Sequence, residues 1–118
     1  MSNAVKPIVI TDNETGEVYT LEFSRESVKF AEERGFKWEN VTDYPLTYIP
    51  LLFWYAMRMH HKKLAKANTD KLLEKIGGMS VAMITRLREL WNVTYEGTLI
   101  DDEEIEENAK NSNMTIEL

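Results

Sequence analysis

Apolar and polar positions along the chain change period several times, and each change marks an element. Pro7 to Thr11 and Val18 to Phe23 are β-branched and aromatic runs around the polar connection Asp12-Asn13-Glu14-Thr15-Gly16. That arrangement predicts a β-hairpin. Tyr19, Leu21 and Phe23 alternate with Thr20 and Glu22, as expected of a strand with one face on a core and the other in water. Ser24 is placed to cap a helix running to Glu33, with Phe23 and Val28 as a hydrophobic staple and Gly35 as the stop. Phe30 and Ala31 give that helix its inner side. Phe36 to Tyr44 has no helical period and reads as a connection.

Tyr44 to Leu64 is the longest apolar run and lacks a charged side chain as far as Met57. It is shorter than the roughly 18 to 20 apolar residues of a membrane span, so it predicts a helix within a soluble domain. Pro50 lacks an amide hydrogen, which predicts a bent first turn or a helix start near Thr47 to Ile49. At helical spacing Leu46, Ile49, Phe53, Met57, His60 and Leu64 form one stripe with Ala56 beside it, the expected core face. Tyr48, Leu51, Leu52, Tyr55 and Met59 fall on the far side, and Trp54 belongs to the same aromatic run. These six residues are the candidate protein-binding or self-association surface, because opposed apolar faces on one helix exceed what a small domain covers.

Thr69 is placed to cap a short helix from Asp70 to Ile76 that ends at Gly77-Gly78, and Ser80 to cap a last helix to about Val93. Beyond Gly97 the composition turns to Asp, Glu and Asn, which predicts a flexible acidic tail. Within it Met114, Ile116 and Leu118 alternate with Thr115 and Glu117, a strand pattern in want of a sheet edge. The expected fold class is α+β: an N-terminal β-hairpin packed with about four α-helices, then the tail. Residues 1–5 read as a vector remnant or disordered start, 6–97 as one globular domain and 98–118 as the tail. At 118 residues there is room for one modest core.

The net charge of −6 changes little, since residues 98–118 carry seven acids and one base and leave the body neutral. The absence of cysteine excludes disulfides, thiolate metal sites and cysteine nucleophiles, and no signal segment opens the chain. His60-His61 point about 100 degrees apart on a helix, so the pair makes a poor metal site, and His60 reads as a buried, satisfied histidine. The acidic run lacks the alternating acids and central glycine of a calcium loop. No glycine-flanked nucleophile, phosphate loop or zinc-protease helix is present, and the chain reads as a non-enzyme without cofactor or metal. Residues 70–91 have the outline of a helix-turn-helix, with Thr85, Arg86 and Arg88 as readers of DNA. A small DNA-binding regulator is therefore the alternative function, although a neutral body lacks the basic face that phosphate contacts need.

The hairpin KPIVITDNETGEVYTLEF, the helix SRESVKFAEERG, the aromatic segment YIPLLFWYAMRMHHKKL and the acidic end together resemble the small tail assembly chaperones of long-tailed bacteriophages, of the siphovirus type, encoded in Gram-positive hosts and their prophages. The resemblance spans about Lys6 to Glu107 and rests on layout. It implies a protein of the bacterial host cytoplasm, absent from the mature virion, that forms homo-oligomers, coats and solubilises the apolar tape measure protein and helps recruit tail tube subunits. It implies neither membrane nor nucleic acid as a partner. Such proteins often have a longer frameshifted product, and Ala109-Lys110-Asn111 is compatible with a slippery heptamer.

Overall fold

The computed structural model describes residues 5–118, and the expected vector remnant Met1–Ala4 lies outside the described residues. Strands β1 (Ile8–Thr11) and β2 (Val18–Leu21) pair antiparallel, with Ile8 opposite Leu21 and Thr11 opposite Val18. Six helices follow: α1 (Arg25–Glu33), α2 (Glu39–Asp43), α3 (Pro45–Met57), α4 (Lys66–Ile76), α5 (Val81–Val93) and α6 (Asp102–Asn111). The class is α+β, with a hairpin at the N-terminus.

Local chemistry sets most element ends as the sequence predicts. The Ser24 hydroxyl accepts from Ser27 N–H, and the Ser27 hydroxyl answers by accepting from Ser24 N–H, so α1 starts in a reciprocal capping box. Phe23 and Val28 close the staple, both buried. Ser80 caps α5 by accepting from Met83 N–H at 3.1 Å. Gly77 ends α4 at φ +86°, a conformation that an L side chain resists.

Four expectations need correction. Phe36 to Tyr44 is more than a connection: it contains α2, buries Phe36 and Val41, and places Trp38 against the core. Helix α4 starts at Lys66, so Thr69 is buried within it instead of capping it, and its hydroxyl donates to Lys66 C=O at 2.9 Å. The central helix begins at Pro45, the earlier of the two expected starts, and stops at Met57, short of the stripe expected to reach Leu64. Its early start is tolerated because the carbonyl that Pro50 leaves without a donor belongs to Leu46, at the exposed first turn. It stops because the Ala56 carbonyl, which a continuing helix would offer to His60, accepts instead from Glu22 N–H beside β2 at 3.0 Å.

The acidic end is the fourth. Residues expected as a flexible tail contain α6, whose Asp101 side chain accepts from Glu104 N–H at 2.7 Å. Asp102, Glu103 and Glu104 fill its first turn, where negative charge opposes the helix dipole favourably. No residue of α6 is buried, and Met114, Ile116 and Leu118 line a shallow groove with its Ile105 and Ala109.

The core runs from the hairpin through α3 to α5. Leu21, Leu52, Phe53, Ala56, Met57 and Leu87 are fully buried, and Trp91 joins Phe23, Phe36 and Trp38 through ring contacts of 5.1 to 5.5 Å. No helix among the described residues is long and apolar enough to cross a membrane.

Candidate functional site

Helix α3 packs against β2, α1, α2 and α4, which explains why it is apolar on every side. A helix that is hydrophobic all round is a central helix, and the two faces read from its sequence are largely two sides of one core. Leu52 and Tyr55, expected on the far face, are buried at 0% and 3% exposure. Tyr48, Leu51 and Trp54 are half-buried against the core. Met59, just past the helix, is exposed.

The cover comes from aromatic residues elsewhere in the chain. Phe36 lies 5.7 Å from the Tyr55 ring and 6.0 Å from Tyr48, while Phe30 stands edge-on to Trp54 at 5.6 Å. The guanidinium groups of Arg34 and Arg58 lie 3.5 Å and 3.6 Å from the Phe30 ring centre, so this edge ends in charge. Arg58 also grips Glu26 at 3.0 Å and holds that carboxyl below its usual range.

The expected core stripe fares unevenly. Phe53, Ala56 and Met57 are fully buried and Ile49 and Leu64 are half-buried, but Leu46 is 93% exposed and His60 is exposed. Leu46 belongs to the first turn of α3, which extends past the body. His60 lies beyond the helix end and pairs with Glu22 at 2.8 Å, so the buried-histidine expectation belongs to its neighbour. His61 Nε2 accepts from Thr20 N–H at 2.9 Å, and burial, then His60, lowers its pKa. The acceptor role requires that nitrogen to be unprotonated.

What remains open on α3 is its first half. Leu46, Thr47, Pro50 and Leu51 line one wall of a cleft of about 630 Å³, and Leu73 of α4 with Gly77 and Gly78 just beyond it line the other. Lys66 and Asp70, paired at 3.0 Å, sit at its polar rim with Glu74. Leu51 is the candidate residue that the structure puts in this cleft. Leu46, Pro50 and Leu73 were missed, although the missing amide at Pro50 already marked the exposed start of the helix. Apolar side chains with a charged rim suit an apolar helix or an extended apolar segment.

In the segment read as a helix-turn-helix, two of the three expected base readers are engaged. Arg86 donates to Lys6 C=O at 3.1 Å, and the Arg88 guanidinium lies 5.3 Å from the Trp38 ring. Thr85 is exposed. Among the described residues no group of three or more His, Asp or Glu side chains gathers to hold a metal.

The family described as Domain of unknown function (DUF5055) matches residues 1–118, the full sequence. The chain belongs to the DUF5055 family. Comparison of this DUF5055 chain with curated proteins and with solved structures finds no match. Its chemistry therefore rests on its own residues, above all the α3–α4 cleft.

Proposed function

We propose that this DUF5055 chain is a phage tail assembly chaperone that binds and solubilises the tape measure protein and helps recruit tail tube subunits through non-covalent apolar contacts. The observation that carries the reading is the cleft between α3 and α4, with Leu46 standing almost fully in water at its mouth. Single exposed leucines are common on protein surfaces; Leu46 differs because it adjoins Pro50, Leu51 and Leu73, which make the apolar positions of the cleft contiguous. The α3 wall of the cleft spans Leu46 to Leu51, about 9 Å of helix, which accepts just under two turns of a client helix. Tape measure proteins of the resembled family are long and coiled-coil rich, and present such helices repeatedly. The place of action is the host cytoplasm, and release precedes completion of the virion.

Co-expression with the tape measure protein of the same genome tests the reading. The expected result is a soluble complex that the full-length Leu46→Glu, Leu51→Glu double variant fails to form while retaining its own helix content. Insoluble client in the presence of the wild-type chain, or a complex indifferent to both substitutions, refutes it. The gene order provides a second check: a very long coiled-coil gene, overlapped by a frameshifted extension, is expected just downstream.

A further inference from the structure

The hairpin has two outer edges, and among the described residues the chain bonds to only one of them. Asp12 N–H donates to Glu17 C=O at 2.8 Å, which fixes the alternation of the ladder. Backbone groups of Ile8 and Ile10 face β2, and those of Val9 and Thr11 face away from it. On β2 the outward N–H of Thr20 reaches His61 Nε2, and Glu22 N–H just beyond the strand reaches Ala56 C=O. On β1 the outward groups of Val9 and Thr11 make no hydrogen bond with a described residue, and both side chains are exposed. The strand carries no charge and no proline within it to deter pairing. A two-stranded sheet gains stability from a third strand.

The same chain carries an unpaired segment of matching length and pattern. Asn113, at φ +56°, and Met114, whose N–H donates to Ala109 C=O at 2.7 Å, turn the chain back after α6. Met114 to Leu118 then lies in neither helix nor strand, exposed, along a groove that it lines with Ile105 and Ala109 of α6. No hydrogen bond links residues beyond Thr98 to the body before Tyr95, and the chain extends 56 Å along its longest axis against 26 Å along its shortest.

We infer that Met114–Leu118 of one copy adds as a third, antiparallel strand to the free edge of β1 in a second copy. Alternation selects the register: Thr115 opposes Thr11 and Glu117 opposes Val9, so their backbones supply the partners the edge lacks. Ile116 then stands beside Ile10 and Leu118 beside Ile8, extending the face that already packs on the core. Thr115 and Glu117 stay in water with Val9 and Thr11. A reciprocal exchange closes a two-fold dimer with two such contacts. This self-recognition stands independently of the client reading and uses a different surface.

The chain has no cysteine, so a designed disulfide reports the contact cleanly. Thr11→Cys and Thr115→Cys change exposed positions whose Cα atoms would face each other at about 5.5 Å, within disulfide reach. Mixing these two full-length single variants under oxidation should give a mixed dimer at least about tenfold in excess of a Thr11→Cys and Thr42→Cys mixture. Equal yields overturn the inference. So does a double Thr11→Cys, Thr115→Cys chain that closes on itself as a monomer at micromolar concentration, because the tail then pairs within its own copy. Thr115→Pro removes the N–H opposite Thr11 in a segment whose neighbour within the chain is α6, and should turn a sedimenting dimer into a monomer while the melting midpoint of the body stays unchanged. A wild-type chain that sediments as a monomer at high concentration, or a Thr115→Pro chain that remains dimeric, also overturns it.

Discussion

Leu52 separates the two readings of the central helix, because one places it in water and the other at 0% exposure among Phe53, Ala56 and Met57. Leu52→Ala removes three carbons from a fully covered site. At about 0.8 kcal/mol per buried methylene the transfer loss is about 2.4 kcal/mol, and incomplete collapse of the cavity brings the expected cost to about 3 kcal/mol. With an unfolding entropy of about 2.1 cal/mol/K per residue, a chain of 118 residues loses about 4 °C of melting midpoint per kcal/mol. The expected fall is therefore about 12 °C. Leu46→Ala removes the same atoms from a side chain that is 93% exposed, and should change stability by less than about 0.5 kcal/mol, or roughly 2 °C. Calorimetric melting of the two variants beside the wild type checks both figures in one experiment. Equal shifts, or a fall of under about 4 °C for Leu52→Ala, would refute the placement of α3 at the centre of the core.

Protonation of His61 should be linked to stability, because burial holds its pKa below the ordinary 6.5 and the Thr20 bond needs a neutral ring. The sign follows: the contribution is complete above pH 6.5 and is lost as pH falls through the lowered folded value. Urea midpoints of wild type and His61→Ala should converge between pH 7.5 and pH 5, roughly across the ordinary histidine range, and parallel curves would show that the bond carries no linkage. Asp101→Ala removes the cap of a helix that has no buried residue, so a loss of about 1 kcal/mol should lower the α6 population roughly fivefold. Backbone chemical shifts of residues 102–111 report it, and should change while those of the body stay fixed.

The ends of α1 and α5 and the stop of α4 were legible because they are decided within a few residues of chain. A hydroxyl at Ser24 or Ser80 satisfies an amide three positions on, and Gly77 adopts a left-handed turn, whatever packs around them. Thr69 had the same chemistry and the opposite fate. Its hydroxyl turns back to Lys66 C=O because α4 begins a turn earlier, so a capping residue type does not fix which of two nearby starts the fold uses. The candidate surface was legible only in part: Leu51 reaches the cleft, while Leu52 and Tyr55 are taken into the core by partners distant in sequence.

The sequence by itself determined the hairpin, its register-setting alternation, the caps of α1 and α5, the apolar character of α3 and the charge pattern that favours α6 at its first turn. These depend on φ and ψ preferences, on side chains meeting their own backbone and on period, all of which are short-ranged. Only the tertiary structure decided which side of α3 faces water. Phe36 closes over its far side from a segment without helical period, and Glu22 captures Ala56 and ends the helix before the stripe can continue to His60. An apolar residue states that it needs cover; which neighbour supplies the cover is fixed by contacts across the fold, and at α3 those contacts leave only its first turn and the cleft beside α4 open to another chain.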